Sequence, residues 1–225
     1  MNPRLESLRG YIARRWEHLR LQFDDLDALR QRLDYQTYIL AAAGLVSSLL
    51  LGFVYLATHG SIEARQEQDM QATLEQVISS SLHDNVLLRD VKTITEASTT
   101  TTVYIARRES AVTAVAFRYI ASGGYSGPIT LMMGVDRDGA VLGVRVIAHA
   151  ETPGLGDKIE RGKSEWILSF DRRSLDNTVS ERWKVKKDGG DFDQFAGATI
   201  TPRAVVRGVE AGLQFFRRHR AELVE

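Results

Sequence analysis

A short segment near the C-terminus combines a small-residue turn, a hydroxyl group and the start of a helix. It contains Gly197-Ala198-Thr199, and after Ile200 come Thr201 and Pro202. Thr is favoured just before a helix, and Pro is favoured at the first helical position because its missing N–H would have no partner there. Apolar residues then recur at helical spacing as far as Phe216. The pattern predicts a loop that leads into an amphipathic helix beginning at Pro202.

This arrangement suits the binding of an anion. The start of a helix carries unpaired backbone N–H groups and a partial positive charge, so it can hold a phosphate without any lysine. The Thr199 hydroxyl is predicted to lie beside these groups. An ordinary junction between a loop and a helix, with a solvated threonine, explains the same residues. The local pattern alone leaves both interpretations open.

The same segment resembles a known modification motif. Residues 193–201 read D-Q-F-A-G-A-T-I-T, which is similar to D-x-x-[ST]-G-A-[ST]-x-[ST], the flavinylation motif of the FMN-binding subunits of Rnf and Na⁺-translocating NADH:quinone reductase complexes. Ala196 stands where Ser or Thr is usual. In that family the residue corresponding to Thr199 is esterified by the phosphate of FMN, which a dedicated flavin transferase attaches using FAD. The resemblance therefore implies covalent FMN on Thr199.

Two further segments resemble the same family. Residues 151–160 read ETPGLGDKIE, as in the G-type member of Rnf complexes, and residues 124–129 read GYSGPI. The three motifs occur in the family order over about the last hundred residues. A tight surface turn and a plain loop between strands are the alternative interpretations of these two segments. The resemblance implies a cofactor site made of Tyr125, Gly127, Glu151, Thr152, Gly154, Leu155, Gly156, Lys158, Gly197, Ala198 and Thr201, and recognition by the flavin transferase through Asp193, Gly197 and Ala198.

The function implied by the resemblance is that of the G-type subunit of an Rnf-type complex. Such a protein relays electrons through its FMN within a membrane-bound, ion-translocating ferredoxin:NAD oxidoreductase, and it has no turnover of its own. Its expected partners are the other membrane and redox subunits, the flavin transferase and membrane lipid. One alternative is the C-type subunit of a sodium-pumping NADH:quinone reductase. A membrane-anchored binding or scaffold module without flavin is the other.

Composition excludes several other kinds of chemistry. Lys plus Arg equals Asp plus Glu, at 29 each, so the sequence lacks the basic field that nucleic-acid binding requires. It contains no cysteine, which excludes disulfides, thiolate nucleophiles, iron–sulfur clusters and the usual zinc sites. The five histidines lack metal-binding spacing, and His149, beside the 151–160 motif, is explained by a hydrogen bond at a strand end. If this protein transfers electrons, a bound organic cofactor must therefore carry them.

A membrane anchor precedes the motifs. Residues 38–57 carry no charge, and twenty helical residues span roughly 30 Å, the thickness of the hydrocarbon core of a bilayer. We predict a transmembrane helix over residues 35–58. Arg20, Arg30 and Arg32 precede it, whereas Arg65 is the one nearby basic residue after it. This asymmetry predicts a cytoplasmic N-terminus and an extracytoplasmic domain, periplasmic in a bacterium whose inner membrane holds the anchor.

The segments on either side of the anchor differ in character. Residues 1–34 carry an apolar stripe at helical spacing and mixed charges on the other face, which predicts a cytoplasmic amphipathic extension. That helix packs either on protein or, as the alternative, on the membrane interface. Residues 59–100 are predicted to form a connecting helix and linker.

The remaining residues, 101–225, are predicted to form the FMN-binding domain. Runs rich in β-branched and aromatic residues follow one another directly, which indicates a mainly antiparallel sheet. The C-terminal helix would cover one face of the sheet. The predicted fold class is therefore α+β: a single transmembrane helix followed in sequence by a domain with a mainly antiparallel sheet and packed helices. The predicted strands are Thr102 to Ala106, Ala111 to Ile120, Ile129 to Val135 and Val141 to Ala148.

Overall fold

The computed structural model describes residues 33–96 and 99–224. The chain divides into two compact units, Met1–Ala64 and Arg65–Glu225. The predicted amphipathic extension, residues 1–34, falls outside the described residues except for its last two positions.

Helix α1, Leu33–Val77, supplies the described part of the first unit and continues into the second. Its apolar part is not covered by other described residues: Leu40, Leu51 and Leu56 are 75%, 70% and 78% exposed. Among the described residues it is the one helix long and apolar enough to cross a membrane. A helix of this length with an exposed apolar surface is stable when lipid surrounds it. The chain is therefore anchored in a membrane.

The second unit is built on a five-stranded antiparallel sheet in the order β1-β2-β3-β4-β5. The four predicted strands are confirmed: β5 has the predicted bounds, β3 and β4 are each one residue longer, and β2 is five residues longer than predicted. The sequence pattern does not predict β1, which lies in the predicted linker and has a single buried residue, Ile94. The strands are β1 Val91–Glu96, β2 Thr99–Arg108, β3 Ala111–Ala121, β4 Ile129–Asp136 and β5 Val141–Ala148.

Helices cover both faces of this sheet, which confirms the α+β class. Helix α2, Ile200–Val224, packs on the larger core. It approaches closely because Gly208 faces β3: a Cβ atom there would lie 2.3 Å from the Cβ of Ala121. The opposite face packs against Leu74, Val77 and Ile78, where α1 ends.

The long connection from β5 to α2 contains short 3-10 turns rather than strands. A stacked aromatic cluster holds it together: the ring of Phe192 lies 4.7 Å from that of Phe170 and 5.4 Å from that of Trp183. The Trp183 indole N–H donates to the carbonyl of Thr178 at 3.0 Å. This buried cluster fixes the path of the chain into the segment that precedes α2.

Candidate functional site

A cavity of about 240 Å³ lies at the start of α2 and is formed by three segments that are distant in sequence. Nine of the residues that line it belong to the site predicted from the sequence, and Ile200 is added to them. The lining residues are Tyr125, Glu151, Thr152, Leu155, Gly156, Gly197, Ala198, Thr199, Ile200 and Thr201.

Helix α2 begins at Ile200, so Thr199 takes the position just before the helix. The Arg203 N–H donates to the Thr199 carbonyl at 3.4 Å, as the first helical hydrogen bond should. The prediction that the helix begins at Pro202 with Thr201 before it is wrong by two residues. Pro202 is tolerated at the third helical position, because the N–H that it lacks has no helical partner there either. Half-buried Thr199 thus borders the cavity beside the unpaired N–H groups of the first turn.

Glu151 ties the three segments together. It is 4% exposed, and one carboxylate oxygen accepts a hydrogen bond from the Ser126 N–H at 3.0 Å. The other oxygen accepts a short hydrogen bond from the Thr201 hydroxyl. Thr201 lies inside α2, and its hydroxyl holds this carboxylate rather than capping the helix. A buried carboxylate needs such donors, because burial without them is costly.

Two glycines in the cavity wall are required by the geometry. A Cβ atom on Gly156 would lie 2.9 Å from both the Cβ of Glu151 and the hydroxyl oxygen of Thr201, so no side chain fits there. Gly197 has φ of +78°, a conformation that other residues adopt only with strain. The turn before Thr199 therefore depends on glycine.

The rim of the cavity is apolar and open. Tyr125, Leu155 and Ile200 are 70%, 46% and 45% exposed. Large exposed apolar side chains at the mouth of a cavity are typical of a site that contacts a flat, partly apolar ligand. Sequence reasoning missed Ile200 because it occupies a variable position of the motif, and its exposure is visible only in the structure.

The segment that carries the motif is held from outside the cavity. The Trp166 indole N–H donates to the Asp193 carbonyl at 2.7 Å, and the Trp166 ring packs edge-on against Phe195 at 5.1 Å. Asp188 accepts two hydrogen bonds from the Arg203 guanidinium at 2.5 and 2.7 Å, and this contact holds the pKa of Asp188 below its usual value. The start of α2 is thereby fixed to the preceding loop.

Comparison with known proteins identifies the domain and the family. A family model described as the FMN-binding domain matches residues 124–214. The chain is 50% identical over 187 residues to the G-type subunit of the ion-translocating oxidoreductase complex of Cereibacter sphaeroides, covering 83% of this chain and 85% of the relative. Proteins of the same name from Stutzerimonas stutzeri and Vibrio cholerae are 46% and 41% identical, covering 86% and 82% of this chain and 85% and 90% of the relatives.

This chain belongs to the family of G-type subunits of ion-translocating oxidoreductase complexes. The matched domain contains the whole cavity, so the cofactor of this family member is FMN. The donor set fits that group: unpaired helical N–H groups suit its phosphate, and the apolar rim suits its flat ring.

The other residues of the predicted site lie outside the lining of the cavity. Lys158 is exposed on the 3-10 turn Asp157–Ile159. Gly127 and Gly154 both lie in turns and have positive φ angles of 142° and 79°. Asp193 is exposed, and its carboxylate forms an ion pair with Lys186 at 2.7 Å.

His149 supports the backbone of Glu151. Its Nδ1 atom accepts the Glu151 N–H at 3.0 Å, and its Nε2 atom lies 2.9 Å from a carboxylate oxygen of Glu160. Because Nδ1 is the acceptor, Nε2 carries the hydrogen and donates it to Glu160. The hydrogen-bonded histidine at a strand end is thus the interpretation that the geometry favours.

Proposed function

We propose that this protein holds FMN through a phosphoester to Thr199 and relays electrons between neighbouring redox centres of its complex. The position of the Thr199 hydroxyl carries the proposal. It borders a cavity that has helical N–H groups on one side and an apolar rim on the other. The oxygen to which FMN would be attached thus lies beside both the site for its phosphate and the site for its ring.

The attachment reaction is a transfer of FMN from FAD. The Thr199 oxygen bonds to the phosphorus on the flavin side of the FAD pyrophosphate, and the bond from that phosphorus to the bridging oxygen breaks. AMP leaves with the bridging oxygen, and the hydroxyl proton passes to solvent. Because a flavin transferase must reach the hydroxyl, the exposed residues Asp193 and Gly197, with Ala198 beside them, are its proposed recognition surface.

The cavity also controls the charge around the phosphate. The N–H groups at the start of α2 stabilise a phosphate dianion by hydrogen bonding and by the helix dipole. Glu151 would oppose it, but its two oxygens are already directed at Ser126 and Thr201. These neutral donors stabilise the carboxylate without cancelling its charge, so the N–H groups and the dipole of α2 must outweigh its repulsion of the phosphate.

When bound, FMN supplies one- and two-electron transfer. The protein positions the ring and provides no other electron carrier, since the sequence contains no cysteine. The ferredoxin:NAD oxidoreductase reaction of an Rnf-type complex fits such a relay. The G-type relatives favour this assignment over the C-type subunit of a sodium-pumping quinone reductase, and the FMN-binding domain argues against a flavin-free scaffold.

A covalent link suits the proposed location. We propose that residues 1–34 are cytoplasmic, that residues 35–58 cross the inner membrane, and that the segment after them leads to a periplasmic FMN domain. This domain includes β1 and the start of β2, from the predicted linker of residues 59–100, as well as residues 101–225. A cofactor that dissociated there would be lost by dilution, whereas a phosphoester keeps the site occupied. The basic residues before the span, including Arg20 and Arg32, support this orientation.

The attachment is tested by intact mass spectrometry. The full chain is expressed with a flavin transferase, and one added FMN is expected on the wild type. The Thr199→Ala variant should carry none, whereas Thr199→Ser retains a hydroxyl and should be modified. A bare wild-type chain, or flavin retained on Thr199→Ala, would overturn the proposal.

The orientation is tested separately by labelling. Because the sequence contains no cysteine, a single thiol can be introduced without any background. A membrane-impermeant maleimide added to cells with a permeabilised outer membrane should label Glu181→Cys, at an exposed position, and leave Ser7→Cys unlabelled until the inner membrane is opened. The reverse pattern would place the FMN domain in the cytoplasm.

A further inference from the structure

The sheet splits at one end, between β2 and β3. The last pair of these strands joins Val103 to Phe117. The segment Thr99–Thr102 continues paired to β1 alone, and the segment Arg118–Ala121 continues paired to β4 alone. These two segments line a cavity of about 840 Å³, which we call the slot.

The direction of nearby hydrogen bonds shows which backbone groups face the slot. The Ile105 N–H donates to the Asp90 carbonyl at 2.8 Å, on the β1 side. The N–H and C=O groups of successive residues in a strand point to alternate sides. Thr100 is an odd number of residues from Ile105, so its N–H and C=O groups point away from β1, into the slot. The Thr113 carbonyl accepts from Arg137 on the β4 side, so by the same alternation the groups of Ile120 point into the slot.

Thr100 and Ile120 therefore form two strand edges that face each other beyond the end of their ladder. They would be directly opposite if the β2–β3 register continued. Unpaired N–H and C=O groups in a row are the template on which another strand pairs. Each wall is four residues long, which corresponds to about 13 Å of extended chain at ~3.3 Å per residue.

One face of the slot is lined with aromatic rings. The Phe215 ring lies 5.3 Å from that of Phe117 on the side of α2. Tyr119 is on the same side, because its ring lies close to Gly212 of α2. A side chain directed to this face would meet Tyr119 and Phe215, so an apolar residue fits there.

The slot also has an uncompensated positive charge. Its carboxylate, Glu96, accepts hydrogen bonds from two nitrogens of the Arg218 guanidinium, Nε and Nη2, at 2.8 and 2.9 Å. Arg118 is exposed, and it forms no ion pair or side-chain hydrogen bond with any residue in the described ranges. Its neighbour Ile120 is 56% exposed. A segment that enters the slot can therefore place a carboxylate against Arg118.

We propose that the slot receives an extended segment of a neighbouring protein of the oxidoreductase complex. The segment adds a strand by pairing with the backbone of Thr100 and Ile120. It directs an apolar side chain to Phe215 and an Asp or Glu carboxylate to Arg118. This is a docking function, separate from the flavin cavity.

Hydrogen exchange of the full chain tests the proposal. Exchange at residues 99–102 and 118–121 is measured by mass spectrometry for the isolated protein in detergent, for the isolated protein in lipid nanodiscs and for the assembled complex. Insertion of a strand should slow exchange at Thr100 and Ile120 by at least about tenfold in the complex alone. Equal exchange in all three samples, or protection by lipid without the other subunits, would overturn the proposal.

Charge variants test the nature of the segment. Arg118→Glu should reduce the yield of assembled complex and remove the protection of the slot, whereas Arg118→Lys should retain both. Arg217→Glu is the matched control, because it reverses an exposed charge on α2 outside the slot. A thermal melt of each isolated variant establishes that it is folded. An Arg118→Glu protein that assembles with full protection would refute the acidic segment.

Discussion

Glu151→Gln removes the charge that holds the flavin cavity together while keeping the shape of the side chain. In the wild type both carboxylate oxygens accept hydrogen bonds, one from the Ser126 N–H and one from the Thr201 hydroxyl. Glutamine has one acceptor oxygen and one NH₂ group. Either the Ser126 N–H then faces the NH₂ group and loses its acceptor, or the Thr201 hydroxyl must turn to accept from that group. In both cases the hydrogen bonds to a charged oxygen are lost.

The size of the effect follows from the burial of this residue. A hydrogen bond to a charged group contributes about 1.5–3 kcal/mol, and an unsatisfied buried donor costs a similar amount. Because Glu151 is only 4% exposed, water cannot replace the lost partner. We expect the free energy of unfolding to fall by about 2–3 kcal/mol, which lowers Tm by about 4–12 °C for a domain of this size.

Thermal unfolding of the full chain in detergent measures this change, and covalent flavin content measures the effect on the cavity. Glu165→Gln is the matched control, because its side chain is 82% exposed and lies 3.6 Å from Arg161. It should change stability by less than about 0.5 kcal/mol. If Glu151→Gln melts like this control and loads flavin normally, the three segments are not joined through Glu151 and the reasoning is refuted.

Three further perturbations test the packing around the site. Gly208→Ala would place a methyl group 2.3 Å from the Cβ of Ala121, so overpacking of about 1–3 kcal/mol should lower Tm, whereas Gly162→Ala, with no atom nearby, should leave it unchanged. Gly156→Ala should reduce flavin loading, because its methyl group meets Glu151 and Thr201 at 2.9 Å; normal loading would contradict a tightly packed wall. Arg203→Gln should destabilise the protein near neutral pH, because the hydrogen bonds from Arg203 lower the pKa of Asp188. A lowered pKa of a carboxyl group stabilises the fold at pH values above its unfolded pKa of 3.8, and this stabilisation is lost as the pH falls through the folded pKa. The difference in unfolding free energy between this variant and the wild type should therefore shrink below pH 3.8. A difference that stays constant with pH in urea melts would contradict the prediction.

Local patterns predict most of the sheet and much of the cavity. Runs of β-branched and aromatic residues predict β2 to β5, and of these β3 and β4 are buried over most of their length. Strand β1 escapes prediction because five of its six residues remain at least partly exposed and only Ile94 is buried. It belongs to the sheet because it pairs with β2. Its own sequence does not show that such a partner strand is available.

The start of α2 illustrates why the rest requires tertiary structure. Thr201 and Pro202 have the local chemistry of a helix start, yet the helix begins at Ile200. The Thr201 hydroxyl bonds instead to Glu151, a residue on a distant loop. No local rule predicts this bond, because Glu151 is fifty residues away in the sequence and becomes a buried acceptor for Thr201 only when the chain folds.

The contacts of Trp166 give the molecule a built-in optical reporter. Its indole is fixed to the segment before Thr199 by the hydrogen bond to Asp193 and the ring contact with Phe195. Indole emission overlaps the near-ultraviolet absorption of an isoalloxazine, so energy transfer to a flavin on Thr199 should quench the fluorescence of this tryptophan. The attachment of flavin can therefore be followed continuously in solution, without a label, from the decrease in intrinsic tryptophan fluorescence.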